Sequence, residues 1–324
     1  MHNRPLSERY STALVTGGAG FVGSHLVDAL LEDGLSVISV DDYSAGKEEN
    51  HAHLAGNPRF RAVKADVSVA EQIAPHLEGV DIVFHEAVSK NTVCMRDPAR
   101  DLDVNAHGTL NVLLAAKAAG VKKFVHASTG SVYGEAQYFP TDEKHPLDPA
   151  SYYGVSKLGA EKYARLFSDL HDLDTTILRY YHVFGPRQDN SDVGGVVSIF
   201  GRRAITDKPL IIYGDGTQLR SFTSVHDVVR INKLAAMHEG TRGKAYNCAS
   251  GVKVTIQELA DAVLKYFGKE HLGIEYRDWK PGDVLKFDVD NSKLKSLGFE
   301  FDYTFEQGLG ETLEWLKQHL MVRV

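Results

Sequence analysis

Ala13-Leu-Val-Thr-Gly-Gly-Ala-Gly-Phe-Val-Gly23 reads as a short apolar strand that breaks into glycine and restarts as a helix near Phe21. Gly17, Gly20 and Gly23 make the spacing Gly-x-x-Gly-x-x-Gly, and glycine is required where backbone must come close to a pyrophosphate. A helix opening at Phe21 and Val22 would aim its first N–H groups at that anion. A glycine triplet alone is as often an ordinary turn, so the flanks decide. The next apolar run, Ser36 to Val40, ends in Asp41-Asp42, about 20 residues on, where a carboxylate can accept hydrogen bonds from a ribose diol. Asp41 would repel a 2′-phosphate, so NAD is expected rather than NADP.

Outward from this turn, short apolar runs alternate with longer amphipathic ones, the pattern of an α/β protein with a parallel, doubly wound sheet. The expected strands are Ala13 to Thr16, Ser36 to Val40, Phe60 to Lys64, Ile82 to His85, Lys123 to Ala127 and Thr176 to Arg179. The expected helices run from Gly20 to Asp33, from about Asp101 to Ala119, and from Tyr153 to His171. After about Tyr180 the texture turns glycine-rich, and Phe305, Leu309, Leu313, Leu316 and Leu320 recur at helical spacing. The division expected is a Rossmann-type dinucleotide domain over 1–180, with later pieces near 220–250, and a smaller C-terminal α/β substrate lobe over 181–324.

Composition narrows the partners. Lys plus Arg is 36 and Asp plus Glu is 43, a net charge of −7, which argues against a nucleic-acid or anionic-membrane surface. Cys94 and Cys248 are too few for a disulfide framework or a four-cysteine zinc site, and both are expected to be reduced and buried. No run of 18 apolar residues occurs, and Met1 to Ser11 lacks the apolar centre of a signal peptide, so a cytoplasmic protein is expected. The fifteen histidines show no metal-ligand spacing, and no metal is expected.

Tyr153-Gly-Val-Ser-Lys157 puts a phenol and an ammonium at i and i+4 on one helix face. A cation there stabilises phenolate, lowers the tyrosine pKa and makes a base for an alcohol near neutral pH. Tyr-x-x-x-Lys is common by itself. Beside it, however, the strand from Lys123 runs into Ser128-Thr-Gly-Ser-Val-Tyr-Gly134, which offers hydroxyls at a carboxyl strand end to hold a substrate oxygen. At the other strand ends, Asp66 with Val67 would border adenine, and Ala87 to Lys90 would border the nicotinamide ribose.

Read in order, these motifs resemble the extended short-chain dehydrogenase/reductases of the nucleotide-sugar epimerase and dehydratase family. The likeness continues through Asn105-Ala-His-Gly-Thr109, Leu178-Arg-Tyr-Tyr-His-Val-Phe-Gly-Pro-Arg187, Tyr213-Gly-Asp-Gly216 and Pro281-Gly-Asp283. It implies bound NAD, a nucleoside diphosphate sugar (UDP favoured) in the cleft between lobes, and a transient 4-keto sugar. Tyr153 would take the C4 hydroxyl proton, Lys157 would bond the nicotinamide ribose, and Thr129 matches the active-site Ser or Thr. Asn105 matches a supporting asparagine. Ser131, Tyr153, His182, Arg187, Tyr213, Arg220, Lys280 and Asp283 fall on substrate positions. Arg187 could approach a C6 carboxylate. The resemblance also implies a homodimer through the helices at about 101–119 and 153–171, whose Leu110, Leu113 and Leu166 read either as outer-face residues or as sheet-facing core.

The chemistry after the first oxidation is read from the residues following Thr129. Dehydratases of the family place Asp-Glu there and decarboxylases commonly keep a Glu; this chain has Gly130 and Ser131, neither an acid nor a base at neutral pH. The expected outcome is rotation of the ketone and return of hydride to its other face, a 4-epimerisation. The rival readings are a 4,6-dehydratase or UDP-glucuronate decarboxylase, supported by the unusual Glu86, and a non-catalytic NAD-binding sensor. The chain departs from the pattern also at Val88, at His182 in place of Asn, at Ser221 in place of Asp, and at Lys280 in place of Arg.

Overall fold

The computed structural model describes residues 4–279 and 285–321. Its centre is a seven-stranded parallel sheet built from β1 (Thr12–Thr16), β2 (Ser36–Asp41), β3 (Phe60–Lys64), β4 (Ile82–His85), β5 (Lys123–Thr129), β6 (Asp174–Tyr180) and β7 (Lys244–Cys248). Their order across the sheet is β7-β6-β5-β4-β1-β2-β3. The order reverses between β1 and β4, where a doubly wound sheet opens a crevice at its carboxyl edge. Ala13, Leu14 and Val15 are wholly buried, as both faces of such a sheet are covered.

On one face lie α1 (Phe21–Glu32) and the helix Val225–Met237, which close a core of Leu26, Val27, Leu30, Ile231 and Leu234. On the other lie the helices Gly108–Ala118 and Tyr152–His171, with Val112, Leu113, Ala116, Ala164 and Phe167 against the sheet. Tyr152–His171 starts on Ser151, whose hydroxyl accepts the Gly154 N–H at 3.1 Å, and stops at Asp172 in the left-handed conformation. A separate core gathers Phe200, Leu210, Ile212, Leu259, Val263, Leu313 and Leu316 from the later part of the chain. The closing helix forms over Phe305–Met321 as its periodicity foretells, and Phe305, Leu309, Leu313 and Leu316 are buried.

Two features differ from the sequence reading. The edge strand Lys244–Cys248 was not anticipated, because Lys-Ala-Tyr-Asn-Cys is a short, half-polar run whose strand character comes from pairing with β6. The single helix expected from about Asp101 to Ala119 is instead Pro98–Leu102, a π-helical turn Asp103–His107, and Gly108–Ala118. The widened turn centres on Asn105, and such turns recur at functional sites.

Candidate active site

The glycine turn fits a pyrophosphate by exclusion of side chains. Gly17 has φ +65°, and a Cβ there would lie 2.8 Å from the Ala87 nitrogen and 2.9 Å from the Glu86 carbonyl carbon. A Cβ on Gly23 would meet the Gly17 oxygen at 2.1 Å. Gly20 precedes α1 and no side chain caps that helix, so Phe21 and Val22 open it with N–H groups available to an anion. These are the requirements of a dinucleotide, and the residues present satisfy them.

At the adenosine end, Asp41 closes β2 and is buried, its carboxylate accepting the Ala19 N–H at 2.9 Å and the Tyr43 N–H at 2.8 Å. Burial raises its pKa, opposed by those hydrogen bonds. Asp42 and Asp66 both reach Arg100, at 3.1 and 2.8 Å. Asp66 accepts from Ser68 as well. Arg100 escaped the sequence reading, since nothing local ties it to acids 58 and 34 residues away. Val67 is placed in the core: its side chain lies under Gly108 and its carbonyl accepts from Asn111 at 3.1 Å.

At the other end, Ala87 donates its N–H to the Thr16 hydroxyl at 3.2 Å, and Lys90 forms an ion pair with Asp189 at 2.8 Å. Asn105 is fully buried, accepting the Ser89 N–H at 2.9 Å and donating to Asp101 at 2.8 Å and Ser156 at 3.1 Å. It therefore braces the helix that carries Tyr153 and Lys157 against the strand-end segment and does not itself face the cleft.

The structure sets the Thr129 hydroxyl beside the Tyr153 phenol, with Lys157 one helical turn beyond Tyr153. Thr129 also accepts the Ser131 N–H at 3.1 Å and donates to the Ser131 hydroxyl at 3.2 Å. Electrostatics here differ from the sequence expectation of a depressed phenol. Burial pushes Tyr153 up to about 12, with the Thr129 hydrogen bond opposing the rise. Burial likewise lowers Lys157 to about 8, although Glu86, Glu161 and Asp101 face it and favour its charge. The phenol rises because a buried hydroxyl loses the water that would solvate its anion.

A buried ion pair anchors this helix. Arg179 gives two bonds to Glu161, Nε at 3.0 Å and Nη2 at 2.7 Å, and a third to the Tyr133 oxygen at 2.6 Å. Ser128 donates to Glu161 at 2.5 Å, and the Tyr133 hydroxyl donates to the Asn247 Oδ1 at 2.8 Å. The network was missed from sequence, although Glu161 stands one turn beyond Lys157 on the same face.

Among the positions expected to face substrate, His182 is half-buried at φ +37° between the rings of Phe222 and Phe287, with centroids 5.8 and 4.8 Å away. Burial, then the nearby Arg220, lower it to about 3, so its ring is neutral. Its Nδ1, the Ser221 hydroxyl and the Gln218 carbonyl oxygen are buried without a hydrogen-bond partner among the described residues. Gln218 gives its amide to the Tyr213 carbonyl at 2.6 Å, and Arg220 lies over the Phe287 ring at 5.3 Å. Arg187, at φ +64°, forms an ion pair with Asp28 on α1 at 2.8 Å. Lys280 and Asp283 lie outside the described residues.

Among the described residues no helix is long and apolar enough to cross a membrane. The model of the NAD dependent epimerase/dehydratase family matches residues 13–249. A UDP-glucose 4-epimerase of Mycolicibacterium smegmatis is 35% identical over 308 residues, covering 94% of this chain and 98% of that protein. UDP-glucuronic acid decarboxylase 1 of Arabidopsis thaliana is 35% identical over 303 residues, 91% of this chain and 67% of that one. Among solved structures, the UDP-glucose 4-epimerase of Thermotoga maritima with UDP-glucose is similar at a TM-score of 0.89 and 37% identity, covering 95% of this chain and 99% of that one. With its glycine turn, strand-end acid and Thr-Tyr-Lys cluster in these places, the chain belongs to the NAD-dependent epimerase/dehydratase family of extended short-chain dehydrogenase/reductases.

Proposed function

We propose that this protein is a nucleotide-sugar 4-epimerase, acting on a UDP-hexose or UDP-uronic acid through a transient 4-keto sugar. The observation that carries the reading is the environment of Gly130. A Cβ at that position would lie 2.3 Å from the Tyr181 ring, so no acidic side chain can replace Gly130 without moving the ring. The next residue, Ser131, is tied to Thr129. No carboxylate thus stands immediately after Thr129 to take the C5 proton or to protonate a leaving C6 oxygen.

NAD, when bound, supplies the acceptor and later the donor of the C4 hydride. Tyr153 takes the C4 hydroxyl proton, Thr129 holds the same oxygen through its hydroxyl, and Lys157 offers an ammonium beside them. Tyr153 acts as the phenolate, which the Thr129 hydroxyl and the Lys157 ammonium favour against its burial, and when the ketone has turned over it returns the proton. Arg220 and the unpartnered atoms of His182, Ser221 and Gln218 give the diphosphate side of the substrate a cation, donors and an acceptor. The UDP-sugar names of the relatives support uridine as the base.

The decarboxylase relative is as similar in identity as the epimerase one, so overall likeness does not separate them. Glu86, the residue that could restore acid–base chemistry, is held by the Tyr180 hydroxyl at 2.9 Å within the sheet edge, which favours epimerisation. A homodimer through the two helices beside β5 fits Leu102, Leu114, Leu166 and Leu170, which are 48–69% exposed. Of the leucines read from sequence as outer-face or core, Leu113 is sheet-facing core and Leu110 packs against that core.

The test is incubation with UDP-hexoses and UDP-uronic acids in deuterated water, read by NMR. A C4 epimer without deuterium at C5 is expected. Deuterium at C5, loss of water or released carbon dioxide would overturn the assignment.

A further inference from the structure

Glu86 stands where the family pattern has an apolar residue, and it is buried in the segment leaving β4. Its Oε1 accepts the Tyr180 hydroxyl at 2.9 Å, and the Tyr180 oxygen accepts the Asn232 amide at 2.7 Å. Lys157 faces it from the helix Tyr152–His171, and the buried Cys248 thiol faces it from β7. Its backbone abuts the glycine turn, since the absent Cβ of Gly17 would fall 2.9 Å from the Glu86 carbonyl carbon.

A dinucleotide whose pyrophosphate rests on that turn, and whose reacting carbon meets the substrate at Tyr153, must run its nicotinamide half through the interval between them. Glu86 flanks that interval, next to the turn on one side and facing Lys157 on the other. Oxidised nicotinamide carries a positive charge and the reduced ring is neutral, so a carboxylate there discriminates between them. We propose that Glu86 is a positioning residue that sets the redox balance of the bound cofactor, its carboxylate, held by Tyr180, favouring the oxidised ring over the reduced one.

This inference rests on NAD meeting Tyr153 and holds for any sugar. Oxidation moves a hydrogen with two electrons from the sugar carbon to the ring and the hydroxyl proton to Tyr153; return reverses both. By favouring the oxidised ring Glu86 favours the return, which keeps the ketone short-lived.

The test needs no sugar: Kd for NAD+ and for NADH is measured by calorimetry on wild type and Glu86→Gln. The preference for NAD+ should fall on the order of tenfold in the variant, equal to about 30 mV for a two-electron couple. Tyr180→Phe, which keeps the charge and loses its anchor, should move the ratio less and in the same direction. Should Glu86→Gln not fold, the wild-type ratio is followed from pH 7 to 5.5, where Lys157, at about 8, stays protonated and Glu86, raised by burial to about 7, gains its proton; protonation of Glu86 should shrink the preference. An unchanged ratio in the variant, or a wild-type ratio flat with pH, overturns the inference. A wild type that binds neither form would overturn the cofactor reading as well.

Discussion

Glu161→Gln removes the anion that neutralises Arg179 beneath the catalytic helix. The two side chains are 3% and 4% exposed, and the pair is bidentate at 2.7 and 3.0 Å, with Ser128 and Tyr133 completing the network. An amide can keep part of this hydrogen bonding but cannot balance a guanidinium out of water. Breaking a buried pair from one side costs about 3–5 kcal/mol. For a chain of this size each kcal/mol moves Tm by roughly 2–3 °C, so a fall of ~6–15 °C is expected. Removing both charges in Glu161→Leu/Arg179→Met should recover most of that loss, because no uncompensated charge remains. The assay is thermal unfolding of wild type, the two single variants and the double variant under identical conditions. A single variant within about 1 kcal/mol of wild type, or a double variant no better than the singles, would refute the reasoning.

Three further outcomes are expected. Tyr153→Phe should lower kcat by at least ~10³-fold, at the upper part of the range for a lost general base, while NAD binding and Tm stay near wild type; a fully active variant would mean the base lies elsewhere. Lys157 loses its proton as pH rises through about 8, so Kd for NAD should weaken across that interval, and Lys157→Met should abolish the pH step. Leu166→Glu with Leu170→Glu should convert a dimer to a monomer in light-scattering measurements, since both leucines are exposed on the helix Tyr152–His171; an unaltered mass would place the interface elsewhere.

The candidate catalytic and cofactor motifs stand out in the sequence because each is local: Gly17 to Gly23 sits within one strand-turn-helix unit, and Tyr153 and Lys157 lie one helical turn apart. Their sheet context was legible because six strands carry their own apolar runs. What sequence could not show is made by pairing at a distance. Arg100, on the helix Pro98–Leu102, meets Asp42 and Asp66 only after the ends of β2 and β3 come together beside it. Arg179 meets Glu161 only after β6 lies beside the helix it follows. The π-helical turn around Asn105 likewise depends on Ser89 and Ser156, neither adjacent in sequence. The direction of the Tyr153 shift was misjudged for the same reason: the lysine is visible at i+4, whereas burial, the larger effect, comes from the fold.

In the proposed reaction one hydride leaves and returns to the same sugar carbon. Turnover of a UDP-sugar deuterated at C4 is followed by NMR and mass spectrometry of the product. The expected product is the C4 epimer with its deuterium retained at C4. Deuterium lost to solvent, or found at C6, would contradict it.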